Sequence, residues 1–518
     1  MITLLLLSFV IIWIVYIKLK YFTLRGPIPG LSPHLIFGNL IQTGLLLGKR
    51  SKCDIYIFLK ERFGDIYQYW LGFMHFIVIH DIDDVQYILT HRNIYDQGQV
   101  FLEKFSLLVP ESIICSIGIA YWSSNDKYLF IFDCLDFKFK RHGALTMPLF
   151  RRSKIISNIN TIIDSTDKLL DRWRARPHDQ VHADIVEQCQ NLLLEIFGLI
   201  AFDYDLEALD SQSSSNNNEL TVALLDIMST YEMALYAPGF ISIVYMKLNT
   251  RFQRARATVE QHFNKMVEQE LAESSDSRAQ RKKTSLIASL VNSLQTDEKA
   301  EAKKKEEDKR GLSRKEVFDE VLMLLIAGYE TTSTALAWSI YHLSKQPRVQ
   351  QKIKTELMEN NHGQHISLEY LDSLIYLDCF INEVLRYSPT IDSTCRSVTV
   401  DDCLPKSGTR LHKGDQVLIP TSSLARDKRY WKIDPQLFYP ERFLNEDKNH
   451  HPYAFLPFGG GHRQCLGRDL ALFELKVILA RMLQQITIGD GGSEVNAGGF
   501  IQKLTLLPKH VGITIKFH

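Results

Sequence analysis

The sequence predicts a mainly α-helical protein with small β-sheets, set behind an N-terminal transmembrane helix. Three observations carry that expectation. Residues 1–17 hold no charged side chain. Long stretches beyond residue 153 place apolar residues three and four apart, the period of a helix with one buried face. Strand-like runs are few and short, at 67–70, 76–79, 504–507 and 512–517.

A helix rises ~1.5 Å per residue, so residues 1–17 cover ~26 Å of a ~30 Å hydrocarbon core. Tyr21, Phe22 and Leu24 supply the remaining length, with Lys18 and Lys20 snorkelling to the interface. A cleaved signal peptide would show a basic leading segment and a small-residue cleavage site, and neither is present. Lys18, Lys20, Arg25, Lys49, Arg50 and Lys52 lie after the span and no basic residue precedes it. The positive-inside rule then puts the chain beyond residue 18 on the cytosolic side. Residues 1–24 are therefore assigned as a single membrane anchor. Residues 25–52 begin with three prolines in seven residues, Pro27, Pro29 and Pro33, and read as a stiff, extended linker.

Residues 55–95 read as helix, strand, strand, helix, the last helix at 82–89. Residues 96–120 lack a clear period. Residues 153–200 and 219–275 are amphipathic and helical around a polar run at 211–218. An apolar patch at 235–246, broken by Pro238 and Gly239, is too short to span a bilayer. It fits core packing and a bilayer-dipping segment equally. Residues 297–310 mix charges of both signs and read as a solvated face. Ser313 and Glu316 form a capping box, and an apolar helix comes next, over 317–343. In its middle lies Ala327-Gly-Tyr-Glu-Thr-Thr332. Gly328 weakens a helix by about 1 kcal/mol relative to alanine. Thr331 can bond back to a carbonyl and bend the helix. Glu330 brings a carboxyl that is costly if buried alone; taken by itself, the hexapeptide also fits an exposed acid on a core helix.

Lysine plus arginine equals aspartate plus glutamate at 60 each, so the net charge is zero. That excludes the basic excess of a nucleic-acid binder. The eight cysteines form no Cys-x-x-Cys pair and no zinc spacing, which suits a reducing compartment better than a disulfide framework. One of them, Cys465, stands apart. It lies in Phe458-Gly-Gly-Gly-His-Arg-Gln-Cys-Leu-Gly467, directly before a helical run. Glycines let a backbone approach closely. The helix start offers N–H groups and a dipole that favour a thiolate over a thiol. Arg463 is a fixed cation able to hold an anionic group. A thiolate held this way is a good axial ligand for haem iron.

An isolated Cys-x-Gly usually marks a structural cysteine. The full spacing, with Phe458, Gly461, Arg463, Cys465 and Gly467 all in place, resembles the haem-binding signature of the cytochromes P450, the haem-thiolate monooxygenases. The resemblance implies the cytochrome P450 fold, with a catalytic domain over 53–518 and haem b as cofactor. Cys465 would be the iron ligand, Arg463 a propionate partner, and Phe458 would pack beside the sulfur. Arg396 occupies the position of a second propionate arginine, and Thr390–Thr394 should face the pocket. Glu330 and Thr331 resemble the family's acid–alcohol pair, Thr331 bonding on the oxygen side and Glu330 delivering protons. Glu383, Arg386 and Arg442 correspond to a buried network behind the haem. The proline-rich segment resembles the hinge of anchored members, residues 55–95 the small N-terminal sheet, 96–120 the loop over the substrate pocket, and 235–246 the bilayer-dipping region. The wording around Thr331 looks most like the microsomal, xenobiotic-oxidising clan.

The likeness breaks at 121–143. The family has Trp-x-x-x-Arg here; counting back from Pro148 and Phe150 puts Phe139 and Gly143 at those two positions, and 129–139 looks like an insertion. Lys140, Arg141 and His142 are the nearby cations that could substitute for the missing arginine.

The resemblance and the anchor together imply a membrane-bound monooxygenase in the endoplasmic reticulum, its catalytic domain facing the cytosol. It would insert one atom of O2 into a lipophilic substrate. Electrons would come from NADPH through a flavoprotein reductase docking near Cys465, on a basic face of Arg463, Arg468 and Lys476. Two alternatives stand beside it. One is a haem-thiolate isomerase or dehydratase of hydroperoxides, which can dispense with the Glu330–Thr331 relay. The other is an inactive member that the 129–139 insert leaves without haem.

Overall fold

The computed structural model describes residues 2–518 except 36, 49, 116–133, 178–179, 210–218, 236, 238, 275–284 and 361–364. A helix over Ile2–Tyr21 opens the chain, and most of its described apolar side chains, Phe9, Ile12 and Trp13 among them, are exposed. Phe22 then turns inward and packs on Trp70 and Phe73, with ring centroids 5.8 and 5.3 Å apart. The proline-bearing segment runs along strand Ile66–Leu71. There Gln68 Nε2 donates to the carbonyls of Arg25 and Ile28 at 2.7 and 2.6 Å, and the Arg25 N–H donates to Gln68 Oε1 at 2.7 Å. One buried glutamine thus pins the linker to the sheet.

That sheet joins the two ends of the sequence. Strands Ile66–Leu71 and Met74–Ile79 form an antiparallel hairpin; Gln416–Ile419 adds parallel to it, then Thr394–Val398, then Tyr95–Gln97 at the far edge. Arg396 pairs with Val417 on one side and Gln97 on the other, so the register fixes where its side chain emerges. The strand-like runs near the C-terminus enter two separate two-stranded sheets. Leu506–His510 pairs with Gly498–Gln502, and Ile513–Phe517 pairs with Ile486–Asp490. The two C-terminal strands do not pair with each other, because each finds its partner in the stretch just after helix Arg468–Gln485.

The helical body surrounds the 32-residue helix Arg314–Lys345. It opens with the capping box read from the sequence: Glu316 N–H donates to Ser313 Oγ and Ser313 N–H to the Glu316 carboxylate. Helices Ile159–Arg174, Ile185–Phe202, Glu219–Leu235, Thr250–Ala272, Ile375–Tyr387 and Arg468–Gln485 contribute to the same apolar core. Ile185–Phe202 and Arg314–Lys345 are long and apolar enough to cross a membrane, yet both are buried here. Residues 96–115 carry more order than their sequence shows, with helix Gln99–Phe105 and a single turn at Ile113–Cys115; 116–120 lie outside the described residues. The apolar patch is a helix, Gly239–Leu248, whose Phe240, Ile241, Val244 and Leu248 are exposed. Ser242 and Met246 of the same helix are buried, so one face packs on the core and the other is left outward.

Candidate active site

The Cys465 loop is shaped by one glycine. Gly461 sits at φ +71°, and a Cβ there would fall 1.9 Å from the Leu89 carbonyl oxygen, so no side chain fits. The loop closes with the Cys465 N–H donating to Phe458 O at 2.9 Å. Beyond it, helix Arg468–Gln485 begins, and the backbone N–H groups of Gly467 and Arg468 point at the thiol. Phe458 is partly buried against the core. One side of Cys465 is open, while protein packed on the other side desolvates it. That desolvation pushes the thiol pKa up, and the two N–H groups pull it down without reversing the shift. The helix start thus favours the thiolate, as expected, but against a larger cost of burial; a coordinating metal would remove the proton.

Beside the loop lies a cluster of positive groups. Arg396 is buried and donates to Thr394 Oγ1 at 3.0 Å, Cys395 O at 2.8 Å and Gly460 O at 3.1 Å. All three acceptors are neutral, and its Nε is buried with no partner among the described residues. Arg463 reaches Asp96 at 3.5 Å and lies 4.9 Å from the centre of the Phe139 ring. Burial, then the charges of Arg396 and Arg463, lower the pKa of His462 to about 4. A buried guanidinium whose printed acceptors are neutral suits an anionic ligand.

On helix Arg314–Lys345, Ala327 is exposed in the middle of an otherwise buried stretch, with Gly328 and Thr331 half-buried beside it. Thr331 Oγ1 donates back to the Ala327 carbonyl at 2.7 Å, as its type suggested. Glu330 is buried rather than exposed, and its Oε1 accepts from Thr505 Oγ1 at 3.0 Å. Burial dominates in raising its pKa to about 7, with Glu232 adding to the shift and Thr505 and Lys503 opposing it. Thr505 carried no signal in the sequence, because its partner is 175 residues away.

Glu383, Arg386 and Arg442 come together with no exposure. Arg386 Nε and Nη2 bond the two Glu383 oxygens at 2.7 and 2.8 Å, and Arg442 Nε reaches Glu383 at 3.2 Å. A fourth member, Asp447, accepts from Arg442 Nη1 at 3.1 Å. The remaining guanidinium donors go to backbone carbonyls of Ala425, Ile433, Asp434, Pro435 and Leu437.

Of the stretch 121–143, residues 121–133 lie outside the described residues, which takes in the first part of the 129–139 insertion. From Cys134 the chain is helical, Cys134–Thr146. Phe139, counted to the tryptophan position, packs against the Arg463 guanidinium. Two of the three cations beside it are engaged elsewhere. Arg141 bonds Glu306, Glu316 and the Gly311 carbonyl, and His142 lies between Glu316 and Glu320. Both are drawn to the acidic start of helix Arg314–Lys345. The basic docking face is also corrected. Lys476 is buried and paired with Asp378 at 2.7 Å, and Arg463 faces Asp96, which leaves Arg468 exposed.

The family model for cytochrome P450 matches residues 28–494. Among curated proteins, cytochrome P450 4V2 of Mus musculus is 38% identical over 214 residues, 41% of this chain and 40% of that protein. Cytochrome P450 3A12 of Canis lupus familiaris is 27% identical over 377 residues, 71% and 72% of the two chains. Cytochrome P450 6l1 of Blattella germanica is 34% identical over 218 residues, 41% and 42%. The alignment thus spans about two fifths of the mouse relative's length. The chain belongs to the cytochrome P450 family, a family of haem-thiolate monooxygenases, and haem b is its cofactor. The residues present fit that group: an open cysteine with two N–H groups aimed at its sulfur, a buried Arg396 whose Nε has no partner among the described residues, for a carboxylate, and an exposed alanine on a core helix for a flat ring.

Proposed function

We propose that the chain is a membrane-anchored monooxygenase that places one oxygen atom into a lipophilic substrate, using NADPH electrons passed on by a flavoprotein reductase. The observation that carries this reading is the Cys465 loop, in which the Gly467 and Arg468 N–H groups meet the sulfur and Gly460 is tied to Arg396. Haem b, when bound, supplies the iron at which O2, two electrons and two protons yield hydroxylated substrate and water.

The chain's own residues do the rest. Cys465 holds the iron, and the two N–H groups draw charge from the sulfur and tune it. Gly461 and Gly467 let the loop lie close, and Phe458 packs beside it. Arg396 and Arg463 hold the carboxylate edge. Thr331 offers a hydroxyl on the Ala327 face, and Glu330, part protonated near neutral pH, supplies the proton. Glu383, Arg386 and Arg442 keep the surrounding backbone rigid.

Membrane attachment through residues 1–24 is supported by the exposed apolar surface of helix Ile2–Tyr21. A second contact is supported by helix Gly239–Leu248. Residues 233–259 hold no acid, and Lys247, Arg251, Arg254 and Arg256 flank its exposed apolar face; that is the pattern of an interfacial helix. The anchor and the bilayer contact together fit the endoplasmic reticulum with the catalytic domain in the cytosol. Arg468, exposed and three residues beyond Cys465, is a cation that a reductase would meet there.

The test is the carbon monoxide difference spectrum of the dithionite-reduced protein. A strongly red-shifted Soret band, lost in Cys465→Ser, is the expected result. A band of thiol- or histidine-ligated haem, or none, overturns the proposal and leaves an inactive member. Product formation that needs no NADPH or reductase would identify an isomerase or dehydratase instead.

A further inference from the structure

Glu330 and Thr331 are adjacent in sequence and lie on different faces of their helix. Ala327 and Thr331, four residues apart, share one face, which the Thr331–Ala327 hydrogen bond closes locally. Glu330 and Thr334 share the next face, and that face meets the turn between strands Gly498–Gln502 and Leu506–His510. Thr505 in this turn donates its hydroxyl to Glu330 Oε1 at 3.0 Å, and its backbone N–H adds a second bond to the carboxyl. Thr334 Oγ1 lies 3.3 Å from Thr505 Oγ1. The turn is itself fixed: Trp338 Nε1 donates to Leu506 O at 2.7 Å, and Leu506 N–H donates to Thr390 O at 2.9 Å. Glu330 Oε2 is buried and has no partner among the described residues.

We propose that Thr505 is a positioning residue for Glu330, parking its carboxyl on the hairpin side of the helix, from which it swings to the Ala327–Thr331 face to give up its proton. The inference rests on the reading of Glu330 as proton donor. With Oε1 accepting from Thr505, the proton of the neutral acid sits on Oε2, the oxygen that no other described group holds. Release from the hairpin therefore costs only the Thr505 contacts. The charged groups facing the parked carboxyl are Glu232, from helix Glu219–Leu235, and Lys503, from the turn. Glu232 is half-buried and accepts the Leu504 N–H at 3.3 Å, so the solvent side of Glu330 is lined by one acid and one base. Tyr329, the remaining titratable neighbour, is buried on the same helix.

The experiment is an infrared titration of the ferric holoenzyme, tracking the protonated-carboxyl band that Glu330→Gln removes. Thr505→Val deletes the hydroxyl at constant volume, Thr505→Ala deletes it with the methyl group, and Thr505→Ser keeps it. Loss of a hydrogen bond to a carboxylate raises its midpoint, here by about 1 pH unit, or tenfold in acid constant. The expected result is that shift in both Thr505→Val and Thr505→Ala, with Thr505→Ser close to the parent. Product per NADPH consumed falls in the same two variants. A midpoint unmoved in both overturns the positioning role. A Glu330→Gln enzyme that keeps the parent's product per NADPH overturns instead the proton-donor reading, and the midpoints still report on Thr505.

Discussion

Gly328 shows how a single residue sets two physical effects against each other. Helix propensity favours alanine over glycine by about 1 kcal/mol in a helix interior. A Cβ at Gly328, however, would fall 2.4 Å from the Phe197 ring of helix Ile185–Phe202, and overpacking a core costs about 1–3 kcal/mol. Packing wins, so Gly328→Ala is expected to lower the denaturation midpoint of the holoenzyme. Gly328→Ala with Phe197→Leu recovers part of the loss. A single variant more stable than the parent would show that the two helices separate at little cost. The glycine itself was legible in the sequence and its reason was not, because Phe197 lies 131 positions earlier in an unremarkable apolar run. The same holds for Thr505. Neither Glu330's burial nor its hydroxyl partner can be read from the hexapeptide, which fits an exposed acid just as well.

At the scale of elements, the buried arginines stand in for secondary structure. The segment from Ala425 to Leu437 is almost without regular elements, and several of its carbonyls are satisfied by Arg386 and Arg442. Lysine offers a point charge where these sites need a planar fork. Arg442→Lys is therefore expected to strand Asp447 and part of Glu383, and Glu383→Ala to leave two buried guanidiniums. Breaking a buried pair in this way costs about 3–5 kcal/mol, measured as a drop in urea midpoint at constant slope and as lost haem content. Unchanged midpoints would place the network outside the folded core. Glu383, Arg386 and Arg442 could be picked from spacing and resemblance; Asp447 could not, since it is one acid in a polar stretch and only the folded backbone turns it toward Arg442. Helix positions over 153–275 and 313–343 were readable because their apolar period is local. The pairing of 504–507 and 512–517 was not, because strand partners are chosen by the whole fold.

For the whole molecule, two apolar surfaces stand out from a buried core, helix Ile2–Tyr21 and helix Gly239–Leu248. They make separable predictions. A protein lacking residues 1–24 is expected to float with phosphatidylcholine–phosphatidylserine liposomes, more weakly than the full chain. Phe240→Asp with Val244→Asp in that shortened protein abolishes flotation. A shortened protein that stays in the aqueous fraction would assign all membrane contact to the first helix.

The mixed sheet has a consequence for synthesis. Strands Ile66–Leu71 and Met74–Ile79 form a hairpin early, but the parallel neighbour of Met74–Ile79 is Gln416–Ile419. At 5–20 residues per second, a ribosome needs roughly 15–70 s to bring that strand out. Through that interval the hairpin presents a hydrogen-bonding edge with no native neighbour, Ile77 and Val78 waiting for Val417 and Leu418. An unpaired edge invites foreign strands. The nascent chain thus depends on chaperones, or on a membrane tether that keeps it apart from its siblings, until Gln416–Ile419 has left the ribosome.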